Sequence, residues 1–183
     1  MRDSIDEPAV GRIAWGEEGV RGDIRDCFLA TEKDVVNWKR DFKGLLTVGR
    51  LSEADIPSGR PCIHSIRSLS HLKNGDIVVL YPRSGQVGTL FRPESDQNTL
   101  LLTERCNSFC LMCSQPPVDR DDSGLVRVNV QAIGLMQPSP RFLGLTGGEP
   151  TLPGDDLLRI FRSLRDHLPQ THVHMLTNGR RFA

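Results

Sequence analysis

From Thr99 onward the chain alternates short apolar strands with helical segments, and each strand runs into a loop of unusual composition. Thr99 to Thr103 reads as a first strand, and Cys106, Cys110 and Cys113 follow at once. Asp119 to Gly124 is charged and turn-like. Arg127 to Met136 has helical character and is closed by Pro138 and Pro140. Arg141 to Thr146 is a second strand leading into Gly147-Gly148-Glu149-Pro150. Leu157, Leu158, Phe161, Leu164 and Leu168 recur at three- and four-residue spacing, which predicts a helix over Asp155 to Leu168. Gly154 or Asp155 starts it and Pro169 ends it. Val173 to Leu176 is a third strand, followed by Thr177-Asn178-Gly179. With right-handed crossovers, a β-α-β-α-β order gives a parallel sheet with its helices on one side. Such folds place ligands at the C-terminal ends of the strands, where these three loops fall. The expected fold class is α/β.

The stretch from Met1 to about Asn98 carries no catalytic motif. Thr31 to Phe42, with Val35, Val36 and Trp38, has the content of a short helix. Asn74-Gly75-Asp76 reads as a turn before a strand reaching Tyr81, and Ser84-Gly85 as a turn before a strand reaching Phe91. Two strands joined by a Gly-containing turn suggest a hairpin. The expected division is an accessory, partly β domain over 1–98 and a second domain over 99–183.

Bulk properties exclude several classes. Formal net charge is zero and the pI is near 7, so no basic surface for nucleic acid or anionic membrane is expected. No apolar run approaches the roughly 18 residues of a membrane span. Met1 to Val10 is acidic and lacks the basic-then-apolar order of a signal peptide. The expected location is cytoplasmic. There are five cysteines, an odd total that in such a compartment argues against a disulfide framework. Cys27 and Cys62 stand alone and read as small buried hydrophobes.

Cys106-x3-Cys110-x2-Cys113 asks for a different account. Thiolates are the usual ligands of iron–sulfur clusters, which normally take four. Three on one tight loop leave one iron without a protein ligand, as a cluster needs if it is to bind and activate a substrate. Three other readings compete at this point. The cysteines are merely buried neighbours, or a zinc site, or part of a ferredoxin-like carrier. Zinc asks for a nearby histidine at finger-like spacing, and none lies between His71 and His167. A ferredoxin asks for a fourth cysteine close by, and none is present.

The cysteine spacing after a first strand, with Gly147-Gly148-Glu149-Pro150 after the second, resembles the two signatures of the radical SAM superfamily. Thr177-Asn178-Gly179 after the third strand fits the same pattern. The resemblance covers Thr99 to Ala183. The wording Thr103-Glu104-Arg105-Cys106-Asn107-Ser108 and Cys110-Leu111-Met112-Cys113-Ser114-Gln115-Pro116-Pro117 is similar to the HxsC maturase family of the His-Xaa-Ser system.

That resemblance implies a [4Fe-4S] cluster on Cys106, Cys110 and Cys113, and S-adenosylmethionine (SAM) on the open iron. It implies reductive cleavage to methionine and a 5′-deoxyadenosyl radical, with an external electron donor, a substrate peptide carrying His-Xaa-Ser repeats and a companion maturase as partners. Gly147 and Gly148 then allow backbone to approach the methionine moiety. Glu149 and exposed backbone carbonyls accept from its ammonium group, Pro150 stiffens the turn, and Asn178 either reaches SAM from the third strand or belongs to a plain turn. Met112 stands where many members carry an aromatic against the adenine, which puts that contact in question. The competing class is a non-catalytic iron–sulfur or peptide-binding module. His167, His172 and His174 read as helix-end or strand-edge residues, and Arg159, Arg162 and Arg165 as a solvated helix face. A full barrel takes about 250 residues. The expectation is therefore a partial radical SAM (β/α) barrel, its first three strands only. It should bind a cluster, turn over little by itself and tend to self-associate through an unpaired third strand. Residues 1–98 either pack on the barrel or dock the peptide.

Overall fold

The computed structural model describes residues 7–32, 41–52, 59–114 and 116–182. Two compact units divide the chain, Met1–Arg92 and Pro93–Ala183.

The first unit is built on a six-stranded mixed sheet. Its strands are β1 (Ala9–Trp15), β2 (Cys27–Thr31), β3 (Gly44–Thr47), β4 (Cys62–Ile63), β5 (Ile77–Tyr81) and β6 (Gln86–Phe91), in the order β4-β3-β2-β1-β5-β6. β1 to β4 run parallel; β5 is antiparallel to β1, and β6 to β5. The expected hairpin is β5–β6, pairing Tyr81 with Gln86. β5 is buried on both faces, which is why it reads as the unbroken apolar run Ile-Val-Val-Leu. Ile13, Phe28, Leu46, Ile63, Leu69, Leu72, Val78 and Leu80 form the main core, and Ala14, Cys27 and Phe42 a second cluster. Thr31 closes β2 and does not begin a helix, and Glu32, Asp41 and Phe42 are not helical either; the middle of that expected helix, 33–40 with Val35, Val36 and Trp38, lies outside the described residues. Cys27 is fully buried, and burial pushes its thiol pKa up. Burial likewise pushes Cys62 up to about 11. Both are protonated thiols at neutral pH.

The second unit has the element order read from the sequence. β7 (Asn98–Leu101), β8 (Phe142–Thr146) and β9 (His172–Met175) form a parallel sheet in the order β7-β8-β9. The helices α1 (Gly124–Leu135) and α2 (Asp155–His167) connect them and pack on each other. Leu100, Leu143 and Leu145 are buried while Leu101 and Phe142 are exposed, so one face of the sheet is covered and the other open. Gly154 caps α2 at φ 62°, a left-handed conformation that favours glycine.

The buried face of α2 differs from the expected stripe. Leu157, Ile160, Ser163 and Leu164 face inward, while Leu158 and Phe161 are 48% and 39% exposed. Positions 157, 160 and 164 lie on one line of the 3.6-residue helix, and 158 and 161 are displaced around it. β9 is an edge strand with Val173 exposed, and Leu176 beyond it is exposed as well. Among the described residues, no helix is long and apolar enough to cross a membrane.

Candidate functional site

The three expected loops meet at the C-terminal end of the second unit's sheet. Pairing of β7 with β8 does not stop with the strands. Leu102 N donates to Thr146 O at 2.8 Å, Gly148 N to Thr103 O at 2.9 Å and Glu149 N to Arg105 O at 2.9 Å. The backbone leading to Cys106 is thereby laced to the Gly-Gly-Glu turn.

This lacing explains the glycine pair. A Cβ on Gly147 would stand 2.4 Å from Thr103 O. One on Gly148 would stand 2.3 Å from Arg105 O and 2.9 Å from Cys106 Cβ. Side chains there would collide with backbone, which cannot swing aside. The sequence suggested that the glycines make room for a bound methionine moiety. The chain's own Thr103–Cys106 segment already occupies the space that their missing side chains leave.

Glu149 also has an internal assignment. It is fully buried. Its Oε1 accepts from Thr151 N (3.0 Å), Thr151 Oγ1 (2.6 Å) and Thr177 Oγ1 (2.7 Å), and its Oε2 accepts from Asn178 N (2.7 Å). Burial pushes the carboxyl pKa up, but the Thr151, Thr177 and Asn178 donors outweigh it and leave the group below the ordinary glutamate value. A carboxylate so engaged ties the second strand's loop to the third's. Pro150 is buried behind it.

Asn178 continues the tie. Its Nδ2 donates to Asn107 Oδ1 at 2.7 Å and to Ser108 Oγ at 3.1 Å, and Arg180 Nη1 donates to Asn107 O at 3.2 Å. The third loop therefore grips the cysteine loop just after Cys106. The sequence left Asn178 between a cofactor contact and a plain turn; its amide nitrogen donates to Asn107 and Ser108.

The cysteines themselves are free thiols, Cys106 half-buried and Cys110 and Cys113 exposed. Cys113 N donates to Cys110 O at 3.1 Å, so the last two share a turn. Cys106, Met112 and Cys113 line a cavity of about 720 Å³ whose opposite wall includes Thr146, Gly147 and Gly148. That size falls within the range of small-molecule and cofactor sites. Among the described residues, no three Cys, His, Asp or Glu side chains gather about one ion position. A cluster does not ask for this, since each thiolate binds its own iron. Cys106 and Cys113 on the wall of a cofactor-sized cavity, with the free thiol of Cys110 on the same loop, supply the donor set that a three-ligand cluster would use.

Two residues outside the motifs complete the base of the loop. Asp122 is buried at the entrance to α1, and its carboxylate accepts from Thr103 Oγ1, Glu104 N and Arg105 Nε. Glu104 forms an ion pair with Arg120. Asp122 was missed in the sequence because Asp119 to Gly124 reads as a turn. An aspartate two residues before a helix is the one cue that marks it.

The histidines and arginines fall where expected. His167 ends α2, its Nδ1 3.0 Å from Ser163 O, and His172 and His174 flank the Phe142 ring on the open face of the sheet. Arg159 and Arg165 make exposed ion pairs with Asp156 and Asp166.

No family model, curated protein or solved structure matches this chain.

Proposed function

We propose that the second unit is the opening part of a radical SAM (β/α) barrel. In this reading Cys106, Cys110 and Cys113 hold a [4Fe-4S] cluster, SAM occupies the adjoining cavity, and the chain serves to modify a peptide carrying His-Xaa-Ser repeats. The observation that carries the reading is the contact of the two motifs. Gly147 and Gly148 pack directly on the Thr103–Cys106 backbone, beside a cavity that Cys106 and Cys113 also line. Glycines at this junction let the cysteine loop and the second loop lie backbone against backbone.

When bound, the cluster and SAM supply one-electron cleavage of the sulfonium and a radical able to abstract hydrogen. The chain's own residues bind and orient. The three thiols anchor the cluster. Exposed backbone at Gly147 and Gly148 faces the cavity and offers polar groups to the methionine end of SAM. Glu149 and Asn178 hold these loops in register, so the carboxylate is a positioning group here and not a direct contact. Met112 and Leu101 give the cavity apolar surface suited to the rest of the cofactor. A reductant supplies the electron.

The test is anaerobic reconstitution of the full chain followed by electron paramagnetic resonance of the reduced cluster. Addition of SAM should shift the signal, because the cofactor would bind the cluster's open iron. A cluster signal that SAM leaves unchanged would reject this reading in favour of a non-catalytic iron–sulfur module.

A further inference from the structure

The stretch from Leu102 to Ser123 leaves β7, carries all three motif cysteines and returns to α1. Its two ends are joined by one side chain. The Asp122 carboxylate takes donors from three consecutive residues: Thr103 Oγ1 at 2.5 Å, Glu104 N at 2.7 Å and Arg105 Nε at 3.0 Å. Thr103 Oγ1 in turn accepts from Arg105 N at 3.1 Å. The Asp122 backbone carbonyl accepts from Leu125 N in the first turn of α1, at 2.9 Å. Glu104 O accepts from Val118 N at 3.1 Å, a second tie across the same base. On its other side, the Thr103–Arg105 segment is bonded to Gly148 and Glu149. The backbone from which Cys106 departs is therefore held between the second strand's loop and the first helix.

We propose that Asp122 is a positioning residue for the first cysteine, closing the base of the loop so that the fold places Cys106 before any metal arrives. Cys110 and Cys113, exposed on the far part of the loop, are drawn in by the metal. The proposal rests on the cluster reading for what is finally bound, but the closure itself is a property of the metal-free chain. A carboxylate suits the task because it only accepts, and all three groups that meet it donate to it. Asparagine keeps the shape but turns one acceptor into a donor facing a donor. Alanine removes every acceptor and leaves the Glu104 N–H and the Thr103 hydroxyl without this partner.

The experiment has two arms, both on the full chain. In the first, hydrogen exchange is followed on the reduced, metal-free protein. Asp122→Ala should speed exchange of the Glu104 amide and its neighbours by about tenfold or more, while β8 and α2 keep their protection. Asp122→Asn should fall between the two. Unchanged exchange over 103–106 in Asp122→Ala would overturn the proposal. Should Asp122→Ala lose protection throughout the unit, Thr103→Val decides. It removes one donor to Asp122, together with the acceptor of Arg105 N, without touching the start of α1, so exchange is read at the Glu104 amide: a rise there supports the closure while no change rejects it. In the second arm, reconstituted Asp122→Asn should lose iron to a chelator several-fold faster than the unsubstituted chain, at a temperature where the metal-free forms of both remain fully folded by their own melting curves. Equal rates of iron loss would confine Asp122 to the fold and overturn its role toward Cys106. If the unsubstituted chain takes up no cluster, the cluster reading fails, and the exchange arm still decides the closure.

Discussion

The base and the tip of the cysteine loop contrast sharply. At the base, Thr103 to Cys106 is bonded through its backbone to Gly148 and Glu149 and through Asp122 to the start of α1. At the tip, Phe109, Leu111 and Met112 are each 88% or more exposed, and Cys110 and Cys113 beside them are exposed too. Burial of one such side chain is worth roughly 1.5–3 kcal/mol, so leaving three in water forgoes considerable stabilisation. The difference teaches that the fold spends its polar contacts on the frame of the site. Under the proposed function, the tip is ordered by the cluster and SAM.

The largest effect that sharpens this contrast is on metal content. Replacing Cys106, Cys110 and Cys113 by alanine should abolish iron uptake. Replacing only Cys110 and Cys113, which are exposed, should leave the stability of the metal-free chain within about 0.5 kcal/mol. Iron analysis and denaturant titration read the two quantities. A large stability loss from the tip cysteines would break the comparison.

At the base the order reverses, with stability responding directly. Gly148→Ala places a Cβ 2.3 Å from Arg105 O, and such overpacking typically destabilises by about 1–3 kcal/mol. Denaturant unfolding of the metal-free chain checks it, and a neutral substitution would mean that the two loops are not in the contact described.

Glu149→Gln should destabilise by about 1–3 kcal/mol, because one amide nitrogen would meet donors where an oxygen now accepts. The same carboxylates set a pH dependence. Glu149 and Asp122 both titrate below their ordinary values in the folded state: burial raises each, and hydrogen-bond donors more than reverse it. The unfolded chain then binds more protons at acid pH. The stabilisation is fully present above the ordinary carboxylate range, about pH 4–5, and is lost as pH falls through the lowered folded values. Unfolding free energy measured from pH 7 down to 3 should fall, and Glu149→Gln should flatten the fall.

The smallest expected effect is that of Met112→Ala on the metal-free chain, within about 0.5 kcal/mol, since an exposed side chain leaves no hole. Because Met112 lines the cavity, the same variant should weaken SAM binding to the reconstituted protein. A stability loss as large as that of Gly148→Ala would show that the tip is packed after all.

Much of the second unit was legible because each of its elements carries its own signal. β7 and β8 contain short apolar runs leading to the cysteine and glycine loops, Val173 to Leu176 stops before Thr177-Asn178-Gly179, and α2 has helical spacing bounded by Gly154 and Pro169. The first unit was mostly illegible. β3 is four residues and β4 two, too short for periodicity, and Gly11 and Arg12 interrupt the apolar run of β1. Only the hairpin β5–β6 announced itself, through its turn. Within the site, residue types identified the cysteine and glycine motifs, but not what the glycines touch. Nor did they show that Glu149 and Asn178 point into the protein, because hydrogen-bond partners 28 or more residues apart leave no local pattern. Asp122 shows the same limit, with its donors 17 to 19 residues away.

The most direct test of the central claim is the metal content of the chain. After anaerobic reconstitution with iron and sulfide, the full chain should carry about four irons, with the visible absorption of a cubane cluster that weakens on reduction. Stoichiometric zinc after purification, and no cluster after reconstitution, would contradict the account and return the three cysteines to a structural metal site.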